Sequence, residues 1–255
     1  MIKLQWYLIT CAFIFAISAE SIQAQPRNEI EVRGTLSIPS GDANFSGTTN
    51  SGSTIDFSRD FDFGNEFGYE LRYQHISTNS KHKFLVDYAQ TDWERSRTLT
   101  RSITFRGETF TANATLDGKL TERVFRAMYA YRWGNEKFRF GPMGDMGVVS
   151  TKLELSGTTS NGQRTGEATK NKFAATLGYD LDYNPDPHFN FTHNLGVIAY
   201  KKDRLFHIEG GVKYFPVRSF GVSGGYKFQR YKFKDDPDFL TIRSNGPYFG
   251  GVIRF

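Results

Sequence analysis

Apolar and polar residues alternate with a period of two through most of the chain, and turn residues interrupt this alternation repeatedly. The clearest segment spans residues 173–183, where apolar side chains at the odd positions face mainly Thr, Gly and Asp. Because successive side chains of a strand point to opposite faces, the pattern predicts strands with one apolar and one mixed face. Ten such segments can be traced, at residues 30–38, 67–74, 84–89, 125–133, 138–145, 173–183, 190–200, 206–214, 220–229 and 248–255.

The connections between these segments alternate in length. Those after the second, fourth, sixth and eighth segments are short, whereas residues 39–66 and 94–116 form long connections. This arrangement is typical of a closed antiparallel up-and-down β-barrel in a membrane, so the predicted fold class is all-β. The seventh segment is the weakest. If the seventh segment is not a strand, the eighth segment must be lost or fused with it. The predicted count is therefore ten strands, with eight as the alternative.

Two further features of the strands lead to expectations. Pro142 lies inside the fifth segment, where its missing N–H group predicts a β-bulge. Aromatic residues also precede the short turns, as expected where an apolar ring with a polar tip meets the membrane–water interface. These interface aromatics are Tyr73, Trp133, Tyr183 and Tyr214.

The strand faces opposite the apolar ones carry equal numbers of cationic and anionic side chains. An unpaired buried charge is costly, so the balance predicts a lumen cross-linked by ion pairs rather than a general diffusion pore. The predicted inward cations are Arg33, Arg72, Arg126, Arg132, Lys213, Lys227 and Arg254. The predicted inward anions are Glu31, Glu70, Asp87, Asp145, Asp180, Asp182 and Glu209.

The first 24 residues have the layout of a secretory signal peptide. Lys3 supplies a positive charge, and residues 4–17 form a mostly apolar run that is short for a membrane helix. We therefore expect a leader at residues 1–24 and one barrel domain at residues 25–255. The single cysteine, Cys11, lies in the leader, so no disulfide, thiol nucleophile or cysteine metal site is expected in the mature protein.

The last strand ends with the chain on an aromatic residue. Its apolar face consists of Phe249, Gly251, Ile253 and Phe255. This face resembles the C-terminal assembly signal of outer-membrane β-barrel proteins. With the leader, the alternation and the aromatic rim, the chain resembles small outer-membrane β-barrel proteins, OmpA- or OmpW-like in the broad sense.

The resemblance implies the outer membrane of a Gram-negative bacterium as the location. It implies outer-membrane lipid, lipopolysaccharide and the β-barrel assembly machinery as partners. The formal net charge of +5 is compatible with anionic lipid or polysaccharide, and nucleic acid is not indicated because most basic residues are matched by acidic ones. The oligomeric state is left open.

The third and fourth strands are predicted to continue above the membrane as a hairpin over residues 95–114. A guanidinium group matches phosphate with two parallel hydrogen bonds, so arginines of this hairpin are candidates for contact with lipopolysaccharide. These are Arg95, Arg97, Arg101 and Arg106.

Catalytic chemistry has two candidate residues. His207 and Glu209 share the inward face and would form a base with its orienting partner, or simply join the lumen network. The surroundings of His193 resemble the active site of outer-membrane lipid A deacylases, but Leu195 stands where the serine nucleophile of those enzymes is expected. A barrel of ten strands resembles the omptin-type proteases, whose site has an aspartate pair facing a His–Asp pair at the rim. Here the pair Asp180 and Asp182 lies near the periplasmic end, which is the wrong rim.

No metal or cofactor is expected. Asp56, Asp60 and Asp62 cluster in the first long connection with Asp42 nearby, but their spacing is not that of an EF-hand and phenylalanines interrupt it. The first functional hypothesis is therefore a non-enzymatic membrane protein with a structural role or with loops for recognition or adhesion. The alternatives are an outer-membrane hydrolase, whether lipid A deacylase-like or omptin-like, and a narrow channel for small solutes.

Overall fold

The computed structural model describes residues 27–47, 52–159, 161–200, 202–235 and 237–255, so the predicted leader, with Cys11, lies outside the described residues. Ten long strands account for most of the described chain. They are β1 (Arg27–Asn44), β2 (Glu66–Ile76), β3 (His82–Thr98), β4 (Thr115–Tyr131), β5 (Phe138–Thr159), β6 (Gly162–Tyr183), β7 (Phe189–Tyr200), β8 (Asp203–Val217), β9 (Phe220–Asp235) and β10 (Asp238–Arg254).

Each strand pairs antiparallel with the next, and β1 pairs with β10 to close the ring. Ile30 lies opposite Ile253 and Thr35 opposite Tyr248 across this closure. The weak seventh segment is a full strand, since β7 pairs with both β6 and β8. The count is therefore ten, and the alternative of eight strands is excluded. Among the described residues, no helix has the length and apolar character needed to cross a membrane.

The prediction of a β-bulge at Pro142 is wrong. The register between β5 and β6 runs without a shift past the pair of Pro142 with Tyr179. The ladder of β5 with the fourth strand is instead interrupted, since it stops at Met143 and resumes at Phe140. Pro142, which lacks a backbone N–H group, thus lies where this ladder is interrupted. The strand therefore accommodates the proline without the extra residue of a β-bulge.

Outward apolar side chains form a belt around the barrel, as the alternation predicted. A barrel in hydrocarbon must present such a band to the lipid. Its members include Val32, Leu71, Val86, Phe125, Val148, Phe173, Val197, Tyr214, Tyr226 and Phe249, all exposed. We call these residues the lipid-facing belt.

Strands β3 to β6 continue far beyond this belt, at the end of the barrel where long connections join β1 to β2 and β3 to β4. On β5 the belt ends at Val148 and the strand at Thr159. At about 3.3 Å per residue and a tilt of about 40°, this part rises roughly 25 Å above the membrane. The two longest connections, residues 45–65 and 99–114, lie at this end. Bacterial barrels carry their longer loops on the extracellular side, so the projecting part is extracellular. We call its four strand segments the extracellular wall; they are residues 90–98, 115–124, 149–159 and 162–172.

Candidate functional site

The periplasmic half of the lumen is filled by charged side chains that bond to one another. Glu209 accepts hydrogen bonds from Arg33 and Arg72, each at 2.8 Å. Arg72 also donates to Glu70, whose second carboxylate oxygen accepts from Lys227 at 2.9 Å. All five side chains are 10 % exposed or less. Each buried charge therefore has an opposite charge in contact, as burial requires.

A second set of ion pairs closes the lumen nearer the periplasm. Lys83 donates to Asp180 at 2.8 Å and to Asp182 at 3.2 Å, and Arg132 also pairs with Asp182. A cavity of about 500 Å³ lies below these pairs, and Arg132 and Asp182 form part of its lining. The paired charges therefore separate this cavity from the rest of the lumen. We call the two sets together, with Glu29, Glu31, Asp87, Arg126 and Lys213, the ionic layer.

The predicted inward charges are confirmed: all are buried except Arg254, which is partly exposed. Sequence reasoning missed three buried charges on the long strands, Glu29, Lys83 and Glu122, and also the burial of Asp60 in the first connection. Glu29 and Lys83 each precede a traced segment by one residue and share the parity of its inward face. Starting the alternation one residue earlier would have found both.

His207 and Glu209 both face the lumen, but the carboxylate of Glu209 is bound by arginines rather than by the imidazole. His207 Nε2 instead lies 3.4 Å from Asp145 Oδ2, and each of these side chains is 5 % exposed. The adjoining cavity, which Tyr231 also lines, has a volume of about 20 Å³. That volume admits about one water molecule and no peptide or acyl chain.

The residues of the two enzyme-like alternatives are placed elsewhere. His193 faces outward, where its ring stacks on Tyr179 with 5.4 Å between ring centroids. Leu195 beside it offers no nucleophile. Asp180 and Asp182 hold Lys83 at the periplasmic end, far from the extracellular rim. None of these residues forms a nucleophile and base within hydrogen-bonding reach of each other.

An apolar plug fills the extracellular half of the lumen. Phe57, Phe61 and Phe63 from the first long connection are buried there against Trp93 on β3. Trp93 is fully buried, and its indole Nε1 donates to the backbone carbonyl of Ser37 at 3.0 Å. We call this set the plug; its other members include Ile55, Leu99, Ile103, Phe105, Phe110, Leu116, Leu120, Leu153, Leu155, Leu240 and Ile242.

The hairpin predicted over residues 95–114 is present, but its tip folds inward as a flap. Its two short strands, Ile103–Phe105 and Glu108–Phe110, lie over the mouth of the barrel. The backbone N–H of Arg106 donates to the carbonyl of Phe45 at 3.1 Å, and that of Ser53 donates to the carbonyl of Thr104 at 2.7 Å. The flap and the first connection therefore hold each other in place.

An ion pair joins the same two segments. Residues Phe57–Phe61 form a single π-helical turn that Asp56 caps through the N–H groups of Ser58 and Arg59. Within it, Asp60 accepts a hydrogen bond from Arg101 of the flap at 2.6 Å. Burial alone would raise the pKa of the Asp60 carboxyl, but hydrogen bonds from Arg59 and Arg101 outweigh burial and hold the pKa below its ordinary value.

These contacts bear on two sequence hypotheses. Asp56 and Asp60 cap and clamp the π-turn, and the described part of the chain contains no group of acidic, histidine or cysteine side chains arranged to hold a metal. Arg101 is engaged by Asp60, whereas Arg95 donates to a backbone carbonyl and Arg106 is exposed. Contact of Arg95, Arg97, Arg101 and Arg106 with lipopolysaccharide stays a prediction.

The predicted interface aromatics all lie on the outer face at the periplasmic end of the barrel. Their side chains are exposed: Tyr73, Trp133, Tyr183 and Tyr214. At the same end, the backbones of Asn28 and Phe255 exchange two hydrogen bonds of 2.9 Å. Phe249, Gly251 and Ile253 face outward in the closing strand, and their role with Phe255 in assembly stays a prediction.

Comparisons with known proteins identify the same architecture. A family model described as the outer membrane protein beta-barrel domain matches residues 9–228. The outer membrane protease OmpT from Escherichia coli is similar over 93% of this chain and 99% of that chain, with a TM-score of 0.59 and 10% sequence identity. Ail, the attachment invasion locus protein of Yersinia pestis, covers 91% of this chain with 99% of its own, at a TM-score of 0.39 and 12% identity. No curated protein matches the chain. At this level of identity the likeness to OmpT shows the fold alone.

Proposed function

The chain belongs to the outer membrane protein β-barrel domain family, and we propose that it is a non-conducting, non-enzymatic barrel that presents a rigid extracellular wall for recognition or adhesion. It lies in the outer membrane of a Gram-negative bacterium. One observation carries the proposal: the lumen is closed, and four strands rise above it as a wall that is polar outside and apolar inside.

The filled lumen argues against a channel. The ionic layer occupies the periplasmic half and the plug occupies the extracellular half. A cavity between them, lined by Glu122, Lys227 and Gln229, has a volume of only about 30 Å³. A solute path would have to break ion pairs in the ionic layer and also displace the plug, and both changes are costly.

The same packing argues against a hydrolase. His207 and Asp145 are enclosed beneath the plug, and Glu209 is neutralised by two arginines. A general base must reach the proton that it abstracts, directly or through one water. No substrate reaches these groups without disassembly of the extracellular half.

The wall has the features of a recognition surface. Its inner face is anchored by the plug, which holds the strands rigid. Its outer face carries a groove of about 300 Å³ that Glu94, Ser96 and Lys119 help to line. A second groove of about 400 Å³ adjoins it at Ser96 and is also lined by Phe61 and Asp62 of the first connection. Polar side chains of both charge signs on a rigid support suit binding of a hydroxyl-rich or charged partner.

Purified protein in a planar lipid bilayer should show no steady open level. We also expect a variant with residues 54–64 replaced by a Gly-Ser linker to stay closed, because the ionic layer still fills the periplasmic half. Single-channel recording at both voltage polarities provides the measurement. A steady unitary conductance of the wild-type protein would contradict the filled lumen.

Ser96→Cys tests the recognition role, because the mature chain is expected to contain no other cysteine. On intact cells, a membrane-impermeant bulky maleimide should label this position and reduce binding of the cells to a glycan array by at least about tenfold, since the adduct fills both grooves. Gln163→Cys at the wall tip should be labelled without loss of binding, and Thr78→Cys in a periplasmic turn should remain unlabelled. If labelled Ser96→Cys cells bind as the unlabelled cells do, or if unmodified cells bind no glycan, the recognition role at the grooves is refuted.

A further inference from the structure

Four cations form a compact group on the outer wall of β8, β9 and β10. Arg204 lies directly opposite Lys232 in the β8–β9 ladder, and Arg230 lies directly opposite Arg243 in the β9–β10 ladder. Arg230 and Lys232 are two residues apart, so they share one face of β9. All four side chains are exposed. We call Arg204, Arg230, Lys232 and Arg243 the cationic quartet.

The quartet has no acidic partner within the part of the chain that the structure describes. The nearest outward carboxylate by register is Asp42 on β1, which is separated from Lys232 on β9 by Thr241 on β10. Cations on the other side of the barrel differ in this respect: Lys152 bonds to Glu154 at 2.8 Å and also contacts Glu167.

Like charges directly opposite each other in a ladder are destabilising. Two such pairs side by side on exposed strands therefore cost folding free energy unless an external anion joins them. Three guanidinium groups and an ammonium group at neighbouring positions suit a phosphate or diphosphate, because guanidinium binds phosphate through parallel hydrogen bonds.

The height of the quartet identifies the source of that anion. Phe206 lies opposite Arg230 and packs against Phe228 at 5.8 Å between ring centroids. Both phenylalanines face outward at the extracellular margin of the lipid-facing belt. The quartet thus lies where lipid headgroups meet the barrel, with apolar wall directly beneath it for acyl chains.

We propose that the cationic quartet binds the phosphorylated headgroup of an outer-leaflet lipid, whose acyl chains lie along Phe206 and Phe228. This site is separate from the arginines of the flap, which lie above the barrel mouth rather than on its outer wall. It is also independent of the wall grooves, since it involves other residues and another partner.

The test uses full-length mature protein in detergent, titrated with diphosphoryl lipid A and followed by native mass spectrometry. The Arg230→Gln/Arg243→Gln variant should bind this lipid at least about tenfold more weakly than the wild-type protein. Dephosphorylated lipid A should bind the wild-type protein with a similar loss. The matched control, Arg123→Gln/Lys152→Gln, removes the same charge from the opposite side and should change the affinity less than about threefold.

Three outcomes would overturn the site. Equal affinity of the wild-type protein and the quartet variant removes the residues from the interaction. An equal loss in the control variant reduces the effect to overall charge. Inorganic pyrophosphate binding the quartet as tightly as lipid A does makes it a soluble-anion site. Heat-modifiable mobility in gel electrophoresis, unchanged in every variant, verifies that the barrels are folded.

Discussion

Glu209→Gln is expected to destabilise the folded barrel by about 3–5 kcal/mol, because it removes one of the buried carboxylates that neutralise the buried guanidinium groups of Arg33 and Arg72. The carboxylate of Glu209 accepts hydrogen bonds from Arg33 and from both terminal nitrogens of Arg72, and its side chain is 2 % exposed. The amide is isosteric but neutral, so the change isolates charge from volume. Urea-induced unfolding in lipid vesicles, followed by tryptophan fluorescence, measures the free energy of unfolding.

Glu154→Gln is the matched control. Glu154 also accepts from a cation, Lys152, but both side chains are about one-third exposed on the wall. Water and salt screen such a pair, so a loss below about 1 kcal/mol is expected. Similar losses at both positions would mean that the periplasmic half of the lumen is hydrated rather than closed by ion pairs.

Trp93→Ala should cost about 3–5 kcal/mol of unfolding free energy, since it removes a fully buried aromatic side chain from the centre of the plug. It also removes the hydrogen bond from the indole to the carbonyl of Ser37, which links β3 to β1 across β2. Trp93→Phe should retain most of the packing and lose mainly that bond. Protease accessibility of the flap gives a second measurement, because a loosened plug frees the segment that covers it.

Trp133→Ala makes the same change at an outward position, where the side chain is 54% exposed. Its loss should be clearly smaller than that of Trp93→Ala, because no packed cavity forms. Should Trp93→Ala unfold at the same urea concentration as the wild-type protein, the plug would not be a packed core.

Much of the fold was predictable because alternation is a local property. Whether a side chain of a strand faces lipid or lumen depends only on its parity within that strand. Arg33, Arg126 and Asp180 could therefore be placed in the lumen with no knowledge of their partners. The strand count was predicted as ten, with eight as the alternative, and β7 proved to be a strand despite its weak pattern.

Partner choice across the lumen was not predictable. Glu209 was considered as the partner of His207, two residues away on the same face, but it binds Arg33 and Arg72 from β1 and β2. These residues are distant in sequence, and their contact depends on the tilt and stagger with which the ring closes. No pattern within one strand carries that information.

The plug was also missed. Phe57, Phe61 and Phe63 lie in a connection without strand or helix periodicity, and they were interpreted only as interruptions of an acidic cluster. Their burial requires the wall to rise around them and the flap to cover them. The closed extracellular half is therefore a property of several segments together.

The period-two alternation of the sequence by itself determined an all-β barrel with an apolar exterior and a charged interior. These features follow from the sequence because neighbouring side chains of a strand point to opposite faces. Only the tertiary structure decided which of those charges pair, how the extracellular mouth of the barrel is filled and that His207 is buried. Such contacts join residues far apart along the chain, and they form only when ten tilted strands meet at one register.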